Sequence, residues 1–284
     1  MVQSNSAAGS AGAIGIPPLV SGAVITLMLA LIVFGGVKRV GRVSEKFVPF
    51  MSGLYILGCL GIILGHIHSL PQALLLIVGD AFSGKAALGG AAGGSLLLAL
   101  RWGTARGLYS NEAGMGSAPI AHAAAITDHP ARQGLWGIIS VFFDTVVIGT
   151  VTALVLLMTG IWRDPGLEAT EMPAAAFSGF YGGAGGVIVS LSLLLFVIST
   201  IYVIAFYGEK LAAFLFGRRF ALVMRMVYIA ACLIGAVGGL KILWLFLDLL
   251  LFLVVIPNMI GVIGLSGKAA AATRDFFSSQ KRSG

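Results

Sequence analysis

The chain has 284 residues, of which 58% are hydrophobic and only 10% are charged, and its mean hydropathy is +1.01. This is too little charge to cover a soluble globular protein of that length, so the composition indicates a membrane protein. The net charge of +7 does not indicate nucleic-acid binding, because the basic residues lie in alternate loops between apolar segments.

Seven apolar segments approach the roughly 20 residues that a helix needs to cross a hydrocarbon core about 30 Å thick. In chain order they are 17–36, 47–67, 88–109, 133–160, 185–207, 220–239 and 242–266. The sequence therefore predicts an all-α polytopic membrane protein. Residues 1–284 would form a single transmembrane domain with a seven-span bundle at 17–267 and a basic cytoplasmic tail at 268–284.

Basic residues follow the odd-numbered segments and are scarce after the even-numbered ones. The basic residues after the odd-numbered segments are Lys38, Arg39, Arg42, Lys46, Arg132, Lys210, Arg218, Arg219, Arg225, Lys268, Arg274, Lys281 and Arg282. The opposite loops carry only Lys85, Arg163 and Lys241. Cationic loops stay in the cytoplasm. The chain is therefore expected to lie in the cell inner (plasma) membrane, with its N-terminus outside the cytoplasm and its C-terminus in the cytoplasm.

The first residues are polar and uncharged, and they run directly into Pro17-Pro18. A cytoplasmic start would carry positive charge, and a secretory leader would be apolar. We therefore expect residues 1–16 to be the external remnant of a preceding helix, in a protein that is longer at its N-terminus.

Two segments between the second and third spans are ambiguous. Residues 70–82 are apolar but number only about 13, which favours an external interfacial or re-entrant helix over a span. Residues 89–94 contain four glycines, Gly89, Gly90, Gly93 and Gly94. These indicate either a helix break or close packing of small residues.

Residues 106–119 place a carboxylate, small polar groups, three glycines and a proline within a hydrophobic sequence. Glycine and proline release backbone hydrogen-bonding groups, for which lipid offers no partner. An irregular segment at membrane depth therefore persists only where protein or a wet cavity surrounds it. This composition predicts one broken helix at residues 110–116, with a binding site beside the break.

Ionisable residues inside a membrane are costly, and three acidic residues are candidates for function: Glu112 in the irregular segment, and Asp144 and Asp248 within predicted spans. Asp144 is followed by hydroxyls at Thr145, Thr150 and Thr152, a set of oxygens that suits a monovalent cation or a proton relay. The alternative is a carboxylate satisfied by an arginine or by backbone donors. For Asp248, a structural partner and a functional role stay equally open.

Hydroxyl groups elsewhere carry weaker signals. Ser199 and Thr200 lie within the fifth span, where hydroxyls usually bond to the carbonyl four residues earlier, although they can also ligate a cation. Ser117 and His122 are close enough to suggest an intramembrane hydrolase. The chain lacks a Gly-x-Ser-x-Gly elbow and a His-Glu-x-x-His motif, so the sequence predicts that the protein is not an enzyme.

Residues 106–125 (RGLYSNEAGMGSAPIAHAAA), followed by His129-Pro130 and Gln133-Gly134, resemble the alanine/glycine:cation symporter family. Shorter matches lie along the whole chain, at residues 2–6, 35–39, 48–51, 144–145, 150–153, 207–209 and 256–258. The resemblance implies sodium- or proton-driven symport of small neutral amino acids such as alanine or glycine. It also implies a LeuT-type inverted-repeat bundle, which this chain would contain in part, and no cofactor besides the coupling ion.

Carried over to this sequence, the resemblance implies an amino-acid pocket formed by Gln3, Asn5, Ser110, Asn111, Glu112, Ala113 and Gly114. It implies cation ligation by Ser199 and Thr200, to which the residue pattern adds Asp144 and Thr145. The expected partners are a small amino acid, the lipid bilayer and a missing N-terminal segment.

The sequence departs from the family pattern at several places. Val203 and Ile204 stand where the family usually has a glycine and a tryptophan, and Leu251 and Phe252 stand where it favours asparagine and glycine. The family's first core helix, which is also broken, has no counterpart in these residues. The alternative hypothesis is therefore a non-transporting membrane remnant or scaffold.

Overall fold

The computed structural model describes residues 1–12, 15–82, 95–167, 171–238 and 241–283. Within these ranges the regular structure is helical: α1 (Val2–Gly12), α2 (Pro18–Val33), α3 (Gly36–Gly65), α4 (Leu70–Phe82), α5 (Ser95–Asn111), α6 (Ala118–His122), α7 (Pro130–Phe142), α8 (Gly149–Thr159), α9 (Met172–Tyr181), α10 (Gly183–Phe216), α11 (Arg218–Val237) and α12 (Lys241–Ser283). A π-helical segment, Phe143–Ile148, joins α7 to α8, and short 3₁₀ turns lie at Ile67–Ser69 and Ile161–Arg163. The all-α prediction is confirmed.

Five helices in the described part of the chain are long and apolar enough to cross a membrane, rather than the seven predicted. They are Gly41–Gly65, Pro130–Thr159, Gly183–Phe216, Arg218–Val237 and Leu249–Ser279. The first predicted span is only the 16 residues of α2, about 24 Å at 1.5 Å per residue. Pro17 precedes α2 in an extended conformation, and the turn at Phe34 and Gly35 follows it.

The third predicted span, 88–109, is described only in part. Residues 88–94 lie outside the described residues, and α5 carries Arg101 and Arg106 among its 17 residues. Residues 70–82 form the short helix that was predicted, and the last helix continues to Ser283 through the expected basic tail. These boundaries leave the helical class unchanged.

Met1–Ile77 and Val151–Trp244 form one compact unit. Its central helix is α10, which packs against α1, α2, α3, α9 and α11. Apolar side chains at helical spacing meet in its core: Ala7, Ile25, Leu29, Ile32, Val33, Val197, Ile198, Tyr202, Ala205 and Cys232. The polar start of the chain is therefore a packed helix, whose small residues allow close approach to its neighbours.

Val78–Thr150 and Leu245–Gly284 form the second compact unit. Within it the π-helical segment packs against α5 and α7, and α6 packs against α7. Many large apolar side chains on its long helices are exposed, among them Trp136, Ile138, Phe252 and Ile263. Exposed apolar faces of this kind are typical of helices that a bilayer surrounds.

An ion pair joins α10 to α11 in the first unit. The Arg225 Nε donates to Glu209 Oε2 at 3.0 Å, and a second guanidinium nitrogen donates to Glu209 Oε1. The two side chains are only 14% and 23% exposed, and the guanidinium also lies 5.3 Å from the Phe34 ring centroid. Removing one partner would leave the other charge without compensation in a poorly hydrated position.

We expect Arg225→Ala to lower the free energy of unfolding by about 2 kcal/mol. The measurement is the apparent melting temperature of the purified protein in detergent. Arg218→Ala is the matched control, because Arg218 is an exposed arginine on the same helix. Equal melting temperatures for the two variants would show that the pair does not stabilise the unit.

Candidate functional site

The predicted break is present at the end of α5. The helix stops at Asn111, and three residues then adopt left-handed backbone conformations: Glu112 (φ 56°), Gly114 (φ 87°) and Gly116 (φ 81°). A new helix begins at Ala118. We call residues 112–117 the unwound segment. The alternative break at residues 89–94 lies outside the described residues.

Glycine adopts a left-handed backbone without penalty, but glutamate does not. The left-handed conformation costs a residue with a Cβ roughly 1–2 kcal/mol, and Glu112 is the one non-glycine residue with positive φ in the described ranges. Such conformations persist where the surroundings over-determine them, and they cluster at functional sites.

Side chains of the unwound segment and of its preceding residue stabilise the local conformation. Asn111 Oδ1 accepts a hydrogen bond from the Ala113 N–H at 2.9 Å. The Ser117 hydroxyl donates to Glu112 Oε2 at 3.0 Å. The Glu112 carbonyl also accepts from the Met115 N–H at 3.2 Å. Local side-chain bonds thus replace part of the interrupted helical ladder.

The π-helical segment Phe143–Ile148 lies against the end of α5 and carries two of the four predicted cation residues, Asp144 and Thr145. The Ser110 hydroxyl donates to Asp144 Oδ2 at 2.7 Å. The Asn111 amide donates to Thr145 Oγ1 at 3.0 Å. The structure therefore brings predicted substrate residues and predicted cation residues together. π-helical turns are rare and frequently mark functional sites, and the sequence analysis missed this one.

Asn258 on α12 makes a further contact that the sequence analysis did not anticipate. Its amide Nδ2 donates to the Gly114 carbonyl at 2.8 Å. In the sequence, residues 256–258 are one of the short family matches. The signal that identifies this residue is a polar amide directly after Pro257 in the otherwise apolar stretch 249–265.

The other predicted site residues belong to the first unit. The Asn5 amide donates to the Gly238 carbonyl at 2.9 Å, and Gln3 is partly buried on the same helix. Ser199 and Thr200 both donate to the Phe196 carbonyl, at 2.7 and 3.0 Å. Both hydroxyls therefore follow the back-bonding pattern, which leaves their oxygen lone pairs as potential acceptors.

Thr152, one of the three hydroxyls noted after Asp144, belongs to the first unit, where its hydroxyl pairs with that of Tyr55 at 2.9 Å. The hydrolase hypothesis also gains no support, because Ser117 donates to Glu112 and His122 Nδ1 faces the Gln133 amide at 2.8 Å. The side chain of Asp248 lies outside the described part of the structure.

Residues 1–284 match the family model described as the sodium:alanine symporter family. The chain belongs to this family. The members of this family are transporters rather than enzymes. The long apolar helices of the chain likewise indicate an all-α, multi-pass membrane protein.

Several curated relatives are similar to the chain. It is 48% identical to the uncharacterized transporter YflA of Bacillus subtilis, over 99% of the chain and 60% of the relative. It is 38% identical to the sodium/alanine symporter AgcS of Methanococcus maripaludis, over 97% and 61%. It is 32% identical to a sodium/proton-dependent alanine carrier protein of Bacillus sp. PS3, over 97% and 65%. The chain thus spans about three fifths of the length of these relatives.

Proposed function

We propose that the protein takes part in cation-coupled symport of small neutral amino acids such as alanine or glycine. The observation that carries this proposal is the pairing of the broken end of α5 with the π-helical segment, through Ser110 with Asp144 and Asn111 with Thr145. Two departures from regular α-helix, the end of α5 and the π-helical segment, therefore meet through polar side chains in a chain that is otherwise strongly apolar.

The unwound segment suits a zwitterionic solute. The carboxyl end of α5 directs helical carbonyls and the negative end of the helix dipole towards the break, which favours an ammonium group. Freed backbone groups in discontinuous helices bind substrates and coupling ions in transporters of this type. Ser110, Asn111, Glu112, Ala113 and Gly114 are therefore the proposed substrate residues in this unit, with Gln3 and Asn5 as further candidates in the other.

Two pairs of oxygen-bearing residues are the candidates for the coupling ion. Asp144 and Thr145 provide a carboxylate and a hydroxyl beside the break, and Ser199 and Thr200 provide two hydroxyls on α10. Hard monovalent cations prefer oxygen ligands of these kinds. The names of two relatives support sodium, and one of those names also includes the proton. The names of these two relatives also favour a carrier over a non-transporting scaffold.

The distribution of basic residues supports a location in the cell membrane with the N-terminus outside and the C-terminus in the cytoplasm. A single transmembrane domain of the LeuT inverted-repeat type remains a prediction. In that scheme, rocking of the bundle would expose the substrate and the cation alternately to the two sides.

The test is uptake of radiolabelled alanine and glycine by the purified protein in proteoliposomes. Uptake is expected to rise about tenfold or more above protein-free liposomes when an inward cation gradient is imposed, because substrate binding is linked to the ion. Sodium and proton gradients are applied separately, which identifies the coupling ion. If neither gradient drives either amino acid, the proposed function is wrong.

A further inference from the structure

Asn258 supplies a hydrogen bond that the broken helix has lost. In an uninterrupted helix the Gly114 carbonyl would accept from the N–H of residue 118, four positions later. At the break, the Asn258 amide donates to this carbonyl instead, at 2.8 Å from a helix 144 residues away. Since lipid offers an unsatisfied carbonyl no hydrogen-bond partner, this donor helps to hold the unwound segment.

The same side chain also lies directly against Gly116. A Cβ on Gly116 would be 2.6 Å from Asn258 Oδ1 and 2.9 Å from its Cγ. One side chain therefore bonds to the first of two left-handed glycines and packs against the second. This double contact holds the segment at two points, Gly114 and Gly116, which a single hydrogen bond could not do.

Asn258 also lies next to a gap in the backbone hydrogen bonding of its own helix, α12. Pro257 directly precedes it inside α12 and has no N–H to donate to the carbonyl of Leu253. One backbone hydrogen bond of α12 is therefore missing next to Asn258, the residue that contacts the unwound segment.

We propose that Asn258 is a positioning residue that sets the affinity for the amino-acid substrate by fixing the conformation of residues 112–116. It acts through the Gly114 carbonyl and the Gly116 backbone rather than by touching the solute. The inference rests on the proposed function for its substrate, but the positioning of the segment can be measured without transport.

The first experiment measures uptake kinetics for Asn258→Ala and Asn258→Asp. Losing one hydrogen bond to the segment is expected to raise KM about five- to tenfold while the maximal rate stays within about twofold. The aspartate keeps the shape of the side chain but cannot donate when ionised, so it carries the test if the alanine variant fails to fold. Ser266→Ala is the control, since Ser266 bonds only to Ile263 within the same helix and should leave KM unchanged.

The second experiment reports on the segment itself. A cysteine is introduced at Ala113 and its labelling by a membrane-permeant maleimide is timed with and without Asn258→Ala. The native Cys59 and Cys232 are 0% and 2% exposed, so the new thiol gives the main signal. We expect labelling to be about threefold faster or more in the alanine variant, as a released segment opens more often.

The two readouts separate the inference from the proposed function. Faster labelling without any uptake by the unsubstituted protein would support the positioning role and contradict the symport function. Normal uptake with an unchanged KM in both Asn258 variants, together with unchanged labelling in Asn258→Ala, would overturn the inference. A lower maximal rate with unchanged KM would also overturn it, because the residue would then not set affinity.

Discussion

Replacing Asp144 by asparagine is expected to raise the cation concentration needed for half-maximal uptake about tenfold or more. Asparagine has nearly the same shape as aspartate, and its side-chain carbonyl can still accept the hydrogen bond from Ser110. The substitution therefore removes the negative charge while keeping the contact between α5 and the π-helical segment. A loss of this size is expected for a ligand whose charge offsets that of a bound cation.

The measurement is uptake of labelled alanine over a series of sodium concentrations, repeated over a series of external pH values. Asp164→Asn is the matched control, because the Asp164 carboxylate also accepts a hydrogen bond, from the Gly166 N–H in an exposed turn. We expect that variant to behave as the unsubstituted protein does. If Asp144→Asn changes neither dependence, the carboxylate has only a structural role and cation ligation must be sought at Ser199 and Thr200.

The position of the helix break could be predicted from the sequence because its cause is local. Glycine and a cluster of polar side chains disfavour a continuous membrane helix wherever they occur. Long helices such as Gly183–Phe216 could be predicted for a similar reason, since each is a nearly continuous apolar run. These features depend on residues that are neighbours in the chain.

The π-helical segment and the role of Asn258 could not be predicted in this way. Nothing in residues 143–148 interrupts an ordinary α-helix, so the change in hydrogen bonding must come from packing against α5 and α7. The contact between Asn258 and Gly114 joins residues 144 positions apart. An average of hydropathy over a window of residues also does not show where a helix begins and ends. Pro17 and the turn at Gly35 limit α2 to 16 residues.

Glycine substitutions across the break are expected to have graded effects, with Gly116→Ala the most severe. Alanine at this position would keep a left-handed backbone, which costs about 1–2 kcal/mol, and its Cβ would collide with Asn258. Gly114 has a similar φ of 87°, but the nearest atoms to a Cβ there are 3.8 Å away. Gly114→Ala should therefore show the backbone strain without the collision.

Gly107→Ala completes the series, because Gly107 is helical and a Cβ there would meet nothing within 4 Å. It should be neutral or slightly stabilising, since alanine favours helix over glycine by about 1 kcal/mol. We expect uptake to fall about tenfold or more for Gly116→Ala, by a smaller factor for Gly114→Ala, and not at all for Gly107→Ala. Melting temperatures in detergent should follow the same order.

The double variant Gly116→Ala/Asn258→Ala isolates the collision from the strain. Removing the asparagine side chain vacates the space that the new methyl group needs, so the two substitutions should be less harmful together than the sum of their separate effects. Additive losses of melting temperature would mean that the segment does not pack against Asn258 in the folded protein. In that case Gly116 would be required only for its left-handed backbone.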